Sequence, residues 1–574
     1  MTVSETLGQL FHYRYWRSSP PPSSVQHPSK SDDDDDDDEA YDVYVAADTP
    51  VSLAPMSMTP PAASHGPSWR RHRAKTARYH LSKLESMVHD EHADAMRPSS
   101  VFYATIGIAL LSAFQFGWLL SQLNYVPFNA NCGASPIPAG DCLLFPPHSE
   151  NKWTLAVAAW IAGGAVGAIC SGLPADIFGR KKTLGVNALI IVFGGLIQSL
   201  ATTLETFTVG RLVSGVASGV AINVCEALIS EISPSQMRGT FLTGLQVGVA
   251  FGSLAVTTAH YALDDSELRW RLLMGVPVVL GGLQLLSLRV MAQSPVWLVA
   301  HDRLDDAKAE MTRLYQTMDV DTILHALAAA HADEATELNG RNPRALLFSA
   351  PFRQQLIIAI VLCAAQQLCG IPAIMYYSSN IFAGAGIADP RVGNTVVNVV
   401  RTSTICVAAA VMDKYPRRTL LLRGMSLQAL AAVGLVASLV CGSALGAIVA
   451  TGVFVVGFCL SIGPMAWTVS SEIFPDYMQA TAGSLGTMST WLGDLLVGLL
   501  YPTLAQGNAL GSYAFSIFAA LLVGFVLFVY VYVPETNGRT AVEIQAAFDH
   551  DAPPPSGQNH SGDPWGTELR TLVA

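Results

Sequence analysis

Residues 172–182 read Gly172-Leu-Pro-Ala-Asp176-Ile-Phe-Gly179-Arg180-Lys181-Lys182, and the pattern returns later in the chain. Asp176-Ile-Phe-Gly179-Arg180-Lys181 is matched by Asp413-Lys-Tyr-Pro416-Arg417-Arg418, an offset of 413 − 176 = 237 residues. Two further pairs keep nearly the same offset. Glu231-Ile-Ser-Pro234 returns as Glu472-Ile-Phe-Pro475, and the proline of Ser294-Pro295 has its counterpart in Pro534-Glu535. Three features at one spacing point to a unit of roughly 240 residues that occurs twice, as in carriers built from internal repeats.

These short motifs stand between long apolar runs. Twelve runs lie at about 101–126, 152–173, 183–201, 207–230, 239–262, 272–291, 354–380, 393–412, 419–440, 446–469, 479–502 and 512–533. About 20 helical residues cross the ~30 Å hydrocarbon core of a bilayer. The expected fold is therefore an all-α membrane protein with twelve transmembrane helices in two six-helix halves. Residues 1–100 are expected to be a disordered cytosolic segment. Residues 101–292 form the first half, 293–353 a cytosolic linker with amphipathic helices, 354–533 the second half and 534–574 a cytosolic tail.

Composition agrees. The 574 residues are 51% apolar and 13% charged, against about 25% charged for a soluble protein. The net charge of −11 is misleading, because Asp32 to Asp38 and Glu39 supply eight negative charges. The rest is near balance, and nothing offers the basic face that nucleic-acid binding requires. No metal-ligand cluster or cofactor motif is present, no bond-making chemistry can be assigned, and no cofactor is expected. The Arg70–Arg78 stretch is expected either to touch anionic lipid at the cytosolic face or simply to fix topology. Asn559-His-Ser561 is a glycosylation triplet on the side predicted to be cytosolic.

Lys and Arg fix the orientation. With a cytosolic N-terminus, Arg180, Lys181, Lys182, Arg238, Lys414, Arg417 and Arg418 fall inside, and twelve spans return the C-terminus there. The 127–150 loop then faces an oxidising space, where Cys132 and Cys142 either stay as thiols or close a disulfide. The opposite charges of Asp176, Arg180, Glu231, Arg238, Asp413, Arg417, Arg418 and Glu472 gather at the cytosolic mouth. Ion pairs between the halves there would form a gate.

The chain resembles the sugar porters of the major facilitator superfamily, most of all the facilitative glucose transporters. The resemblance rests on Gly172–Arg180, Gly210-Arg211, Glu231–Gly239, Ser294–Leu298, Gln366–Ile371 with Tyr376-Tyr377, Gly463–Trp467 and Pro534–Thr540, and covers residues 101–548. It implies a sugar site contacted by Gln246, Gln366, Gln367 and Trp467, with Tyr376 and Tyr377 as an extracellular gate, in a multi-pass protein of the plasma membrane. Amides suit a sugar because they both donate to and accept from hydroxyls.

The departures are as informative. Arg401 and Asp494 fall where the family has sugar-binding asparagines on spans eight and eleven, Pro372 replaces another, and Cys459 replaces a Glu. An intramembrane charge usually faces a cavity or a partner. Arg401 and Asp494 are expected to line the cavity as an ion pair; alternatively Arg401 meets an anionic sugar, or snorkels to the surface. Glu226 and Leu228 replace a Pro and a Tyr, and Gln293, Val296 and Gln479 thin the cytosolic charge set. Proton symporters of the family carry an Asp after Phe-Gly-Tyr on span one, whereas here Phe116-Gly117-Trp118 precedes Leu119. The expected function is thus facilitative uniport of a hexose or similar polyhydroxy compound. The alternatives are a proton-coupled symporter of a sugar, polyol or sugar acid, using Asp494 or Glu226, and a non-transporting sugar sensor.

Overall fold

The computed structural model describes residues 97–548 apart from 139, 264–266, 317–319, 322, 326, 329–342, 412–413, 507–508 and 540. The acidic run, the Arg70–Arg78 cluster, Asn559 and Asp413 lie outside the described residues.

Spans one to six are Ser100–Ser121, Glu150–Cys170, Arg180–Leu200, Leu204–Ile232, Ser235–Ala259 and Glu267–Ser287. Span seven is broken into Arg353–Leu368 and Ile371–Gly384. Spans eight and nine are Pro390–Val411 and Arg417–Val440. Span ten is broken into Ala444–Leu460 and Ile462–Glu472. Spans eleven and twelve are Asp476–Leu504 and Phe515–Tyr532. Among the described residues ten stretches are long and apolar enough to cross a membrane. Spans eight and eleven, at 22 and 29 residues, complete the twelve.

The repeated motifs are the helix boundaries. Pro234 and Pro475 occupy the same place in the two copies, as N-caps of spans five and eleven. Proline cannot extend a preceding helix but fits the start of a new one. In the first copy Gly179 ends the short helix Gly172–Phe178 and opens span three at φ +83°. That backbone region disfavours any L side chain, and a Cβ there would lie 1.9 Å from Gln293 Nε2. Pro416 has this role before span nine.

Both broken spans belong to the last six. Gly370 turns span seven at φ +100°, with the Phe518 ring packed where a side chain would stand. Ser461 interrupts span ten at φ −132°, ψ −106°. Irregular backbone at membrane depth is tolerated where protein or a cavity covers it, which marks spans seven and ten as cavity walls.

Small residues let spans two and four touch backbone to backbone. A Cβ on Gly219 would stand 2.1 Å from the Gly164 carbonyl oxygen, and one on Gly215 2.2 Å from that of Trp160. Such contacts are how helices associate in lipid, where burial of apolar surface no longer drives packing. The outer surface is correspondingly apolar: Val279, Leu286, Leu430 and Leu445 are each 72–73% exposed. The first six spans meet the last six mainly where span two packs on span eleven and span five on span eight.

The segment after span six is tied back to the bundle. Ser294 caps the helix Pro295–Ala300, which is followed by Leu304–Leu314. Ser99 Oγ caps span one and donates to the Arg313 carbonyl, and the Tyr315 hydroxyl donates to the Ile232 carbonyl. Burial pushes the Tyr315 phenol above its usual range.

Candidate functional site

A small cleft, about 20 Å³ in volume and partly open to solvent, lies between the two sets of six spans. Thr243 and Gln246 line it from span five, Arg401, Ile405 and Ala408 from span eight, and Phe458, Cys459, Gly463 and Pro464 from span ten. Gln246 is exposed in mid-helix, as a cavity amide must be to meet a solute.

Gln366 is buried and donates its amide to the Gly463 carbonyl, just past the break in span ten. Gln367 is half-buried and donates to Gln366 Oε1 at 3.4 Å. The pair thus connects span seven to the cleft wall at Gly463. Trp467 is half-buried one turn further along that helix.

Arg401 is 6% exposed. Its Nη1 donates to Ser253 Oγ at 3.2 Å, and Ser253 Oγ in turn donates to the Gly117 carbonyl of span one at 3.0 Å. Arg401 and Asp494 do not pair, contrary to the sequence-based expectation. Asp494 accepts instead from the Tyr376 hydroxyl, at 2.9 and 3.2 Å. The reason is topological: span eight lies against span five and span eleven against span two. The two residues are thereby carried to different parts of the interface.

Tyr376 and Tyr377 fasten the second segment of span seven to span eleven, since the Tyr377 hydroxyl donates to the Gly498 carbonyl at 2.9 Å. The Tyr376 ring also meets Trp160 of span two, 6.4 Å between centroids, and Trp160 meets Trp491 at 6.1 Å. Trp491 in turn fills the space left by Gly164. Arg211 is fully buried beside this cluster, 5.4 Å from the Trp160 ring, with its Nη1 donating to the Leu119 carbonyl.

The end of the bundle carrying the 122–149 loop is closed through a residue that sequence reading did not single out. Asn124, 3% exposed, reaches from the first six spans into spans seven and eight. Its Nδ2 donates to the Met375 carbonyl and to Ser378 Oγ, both at 2.8 Å. Its Oδ1 accepts from Ser379 N at 3.0 Å, and its carbonyl accepts from Ser379 Oγ at 2.9 Å and Asn394 Nδ2 at 3.2 Å. An Asn just past the end of an apolar run carries no sequence signal beyond that position. Arg391 adds its guanidinium over the Tyr261 ring, 5.1 Å from the centroid. Its hydrogen bond to Asp389 holds that carboxyl below the usual range. Cys132 and Cys142 in the loop are joined by a disulfide.

At the opposite end, the charged motifs act within each set of six spans rather than between them, which corrects the gate expectation for this conformation. Arg180 pairs with Glu231 at 2.7 Å and with Asp176 at 3.3 Å. Arg417 pairs with Glu472 at 3.7 Å. Arg238 is exposed and makes no ion pair among the described residues. Arg418 donates to the Tyr530 carbonyl at 2.5 Å rather than to a carboxylate side chain of Glu472. Glu535, quoted in a motif but given no role, accepts from the backbone N–H groups of Arg417 and Arg418 at 2.8 and 3.1 Å. It thereby satisfies the free donors at the start of span nine. Gln293 accepts from Lys181 N at 3.0 Å.

By contrast, the hydrogen bonds that join the two sets through Asn124, Arg401, Thr402, Thr395 and Gln506 all lie between mid-bundle and the loop end.

Comparison with known proteins supplies the family. Residues 101–548 match the model of the sugar (and other) transporter family. The facilitated glucose transporter member 3 of solute carrier family 2 from Oryctolagus cuniculus is 33% identical over 467 residues, covering 79% of this chain and 93% of that protein. Member 4 from Homo sapiens is 31% identical over 478 residues, covering 80% and 93%. In three dimensions the chain resembles the proton:xylose symporter XylE bound to 6-bromo-6-deoxy-D-glucose. The TM-score is 0.64 at 21% identity, over 79% of this chain and all of that one. It also resembles the inward-open XylE from E. coli, at a TM-score of 0.61 and 21% identity, over 78% and 100%. The fold is the twelve-helix major facilitator fold of a multi-pass membrane protein, and the chain belongs to the sugar (and other) transporter family.

Proposed function

We propose that the protein carries a hexose or similar polyhydroxy compound across the membrane by alternating access, as a facilitative uniporter without bond-making chemistry. The observation that carries this reading is the cleft beside Gln246, walled by spans five, eight and ten and sealed on the loop side by Asn124. One opening and one seal across two helix sets are what a single central site needs to face the two sides in turn. The two sets are residues 101–292 and 354–533, joined by 293–353.

In this reading Gln246, Gln366, Gln367 and Trp467 contact the sugar. Tyr376 and Tyr377 gate the loop side, which is extracellular. Asp176, Arg180 and Glu231, and Arg417 with Glu472, are local ion pairs at the opposite, cytosolic end. Both termini are cytosolic and the membrane is the plasma membrane. Relatives named as facilitated glucose transporters support the substrate class and the uniport mode, as does Leu119 in the place of an acid on span one.

The test is uptake of labelled D-glucose by vesicles reconstituted with the full chain, with and without an imposed proton gradient. Saturable uptake that ignores the gradient supports uniport. Uptake driven by the gradient moves the reading to symport, and absence of uptake moves it to a sensor.

A further inference from the structure

Arg401 places a guanidinium about midway along span eight, eleven residues from its start, on the wall of the cleft. A cation at that depth is costly unless it is neutralised. No carboxylate among the described residues forms an ion pair with Arg401, and Asp494 is engaged by Tyr376. Among the described residues the Arg401 side chain makes one hydrogen bond, from Nη1 to the neutral hydroxyl of Ser253. Nε is buried and donates to nothing. The neighbouring thiol of Cys459 is turned to the Arg401 backbone carbonyl, 4.0 Å away, not to the guanidinium.

The bond to Ser253 engages Nη1, and the Nε–Nη2 edge, two parallel donors in a fixed fork, makes no hydrogen bond to a described residue. That fork fits a carboxylate with two hydrogen bonds, which a hydroxyl cannot accept in the same way. The same cleft offers Gln246, whose amide both donates and accepts and therefore suits hydroxyl groups. A ligand that satisfies both carries a carboxylate at one end and hydroxyls along the rest.

We propose that the cleft is built for an anionic polyhydroxy substrate, a sugar acid such as a hexuronate, with Arg401 as the residue that selects the carboxylate. This rests on the transport reading above and sharpens its substrate class. Arg401 brings the positive charge that the substrate lacks, so the bound complex crosses the apolar interior as a neutral pair. Buried positive charge thus acts as a selection rule, because an empty or neutrally loaded site leaves the guanidinium unpaired.

The experiment uses the full chain in vesicles, with labelled D-glucuronate and labelled D-glucose as probes, in wild type, Arg401→Lys and Arg401→Asn. Wild type should take up glucuronate, and unlabelled glucuronate should outcompete glucose by about tenfold in concentration, the discrimination given by roughly 1.4 kcal/mol. Arg401→Asn should lose the competition by glucuronate, and Arg401→Lys should keep part of it, since it retains the charge without the fork. The wild-type competition stands even where a variant fails to fold. Glucose uptake that glucuronate does not compete would overturn the proposal and leave sugar transport intact. Glucose uptake that requires chloride and ignores glucuronate would also overturn it, assigning Arg401 to an inorganic anion. Uptake of neither probe would instead overturn the transport reading itself.

Discussion

The Tyr376 hydroxyl donates to both carboxylate oxygens of Asp494, at 2.9 and 3.2 Å. Asp494 is 8% exposed, so this phenol is what stabilises it. Leaving a buried acceptor without its donor costs about 1–3 kcal/mol. Tyr376→Phe should therefore lower the melting temperature in detergent. Asp494→Asn keeps an acceptor for the hydroxyl and should melt close to wild type. The double variant should recover part of the Tyr376→Phe loss, because it leaves no unpaired charge. Equal losses in Tyr376→Phe and the double variant would show that the bond does not stabilise the protein.

Asn124 holds the loop end through five hydrogen bonds, three of them from its side chain. Losing the side-chain bonds at about 1 kcal/mol each shifts a two-state equilibrium by roughly tenfold or more. Glu150, exposed, and Gln506, half-buried, lie on opposite sides of this seam, 3.4 Å apart. Spin labels on Glu150→Cys and Gln506→Cys should report a new long-distance population in the Asn124→Ala protein, absent or minor with Asn124 present. An unchanged distance distribution would remove Asn124 from the gate.

Gly179→Ala should destabilise the junction between Gly172–Phe178 and span three on two grounds. The φ of +83° costs an L residue about 1–2 kcal/mol, and the new methyl meets the Gln293 amide. Gly179→Ala with Gln293→Ala removes the second cost but not the first. It should therefore restore part of the lost thermal stability, and full restoration would show that backbone conformation does not matter there.

The disulfide gives a test of orientation. Cys132 and Cys142 are 4% and 2% exposed and bonded to each other. In intact cells they should react with a membrane-impermeant maleimide only after an external, impermeant reductant is added. Labelling that requires permeabilised cells would place the 127–149 loop inside.

Much of the fold was legible because the bilayer imposes length and polarity together. Twelve apolar runs mapped to twelve helical spans, and the repeated Pro234 and Pro475 became equivalent helix starts. The relations between spans were not legible. Arg401 and Asp494, expected to line one cavity, are opposite in sign, which suggested a pair, yet sequence says nothing about which neighbour a helix face meets. Span eight turns to span five and span eleven to span two. The Asp-Gly-Arg and Asp-Pro-Arg motifs announced charge at one end, but the partner choice of Arg180, Glu231 and Asp176 is local, and Glu535 enters only through the fold. Asn124 escaped notice because its partners lie about 250 residues away in the chain.

The central claim is that one site is exposed to each side of the membrane in turn, and exchange tests it most directly. Vesicles bearing the full chain are loaded with labelled D-glucose, and efflux is followed with and without unlabelled D-glucose outside; the same is done with D-glucuronate. The account predicts that external substrate accelerates efflux, since a loaded carrier returns without waiting for an empty site to reorient. Efflux through the protein that external substrate leaves unchanged, or no efflux of either compound, would contradict it.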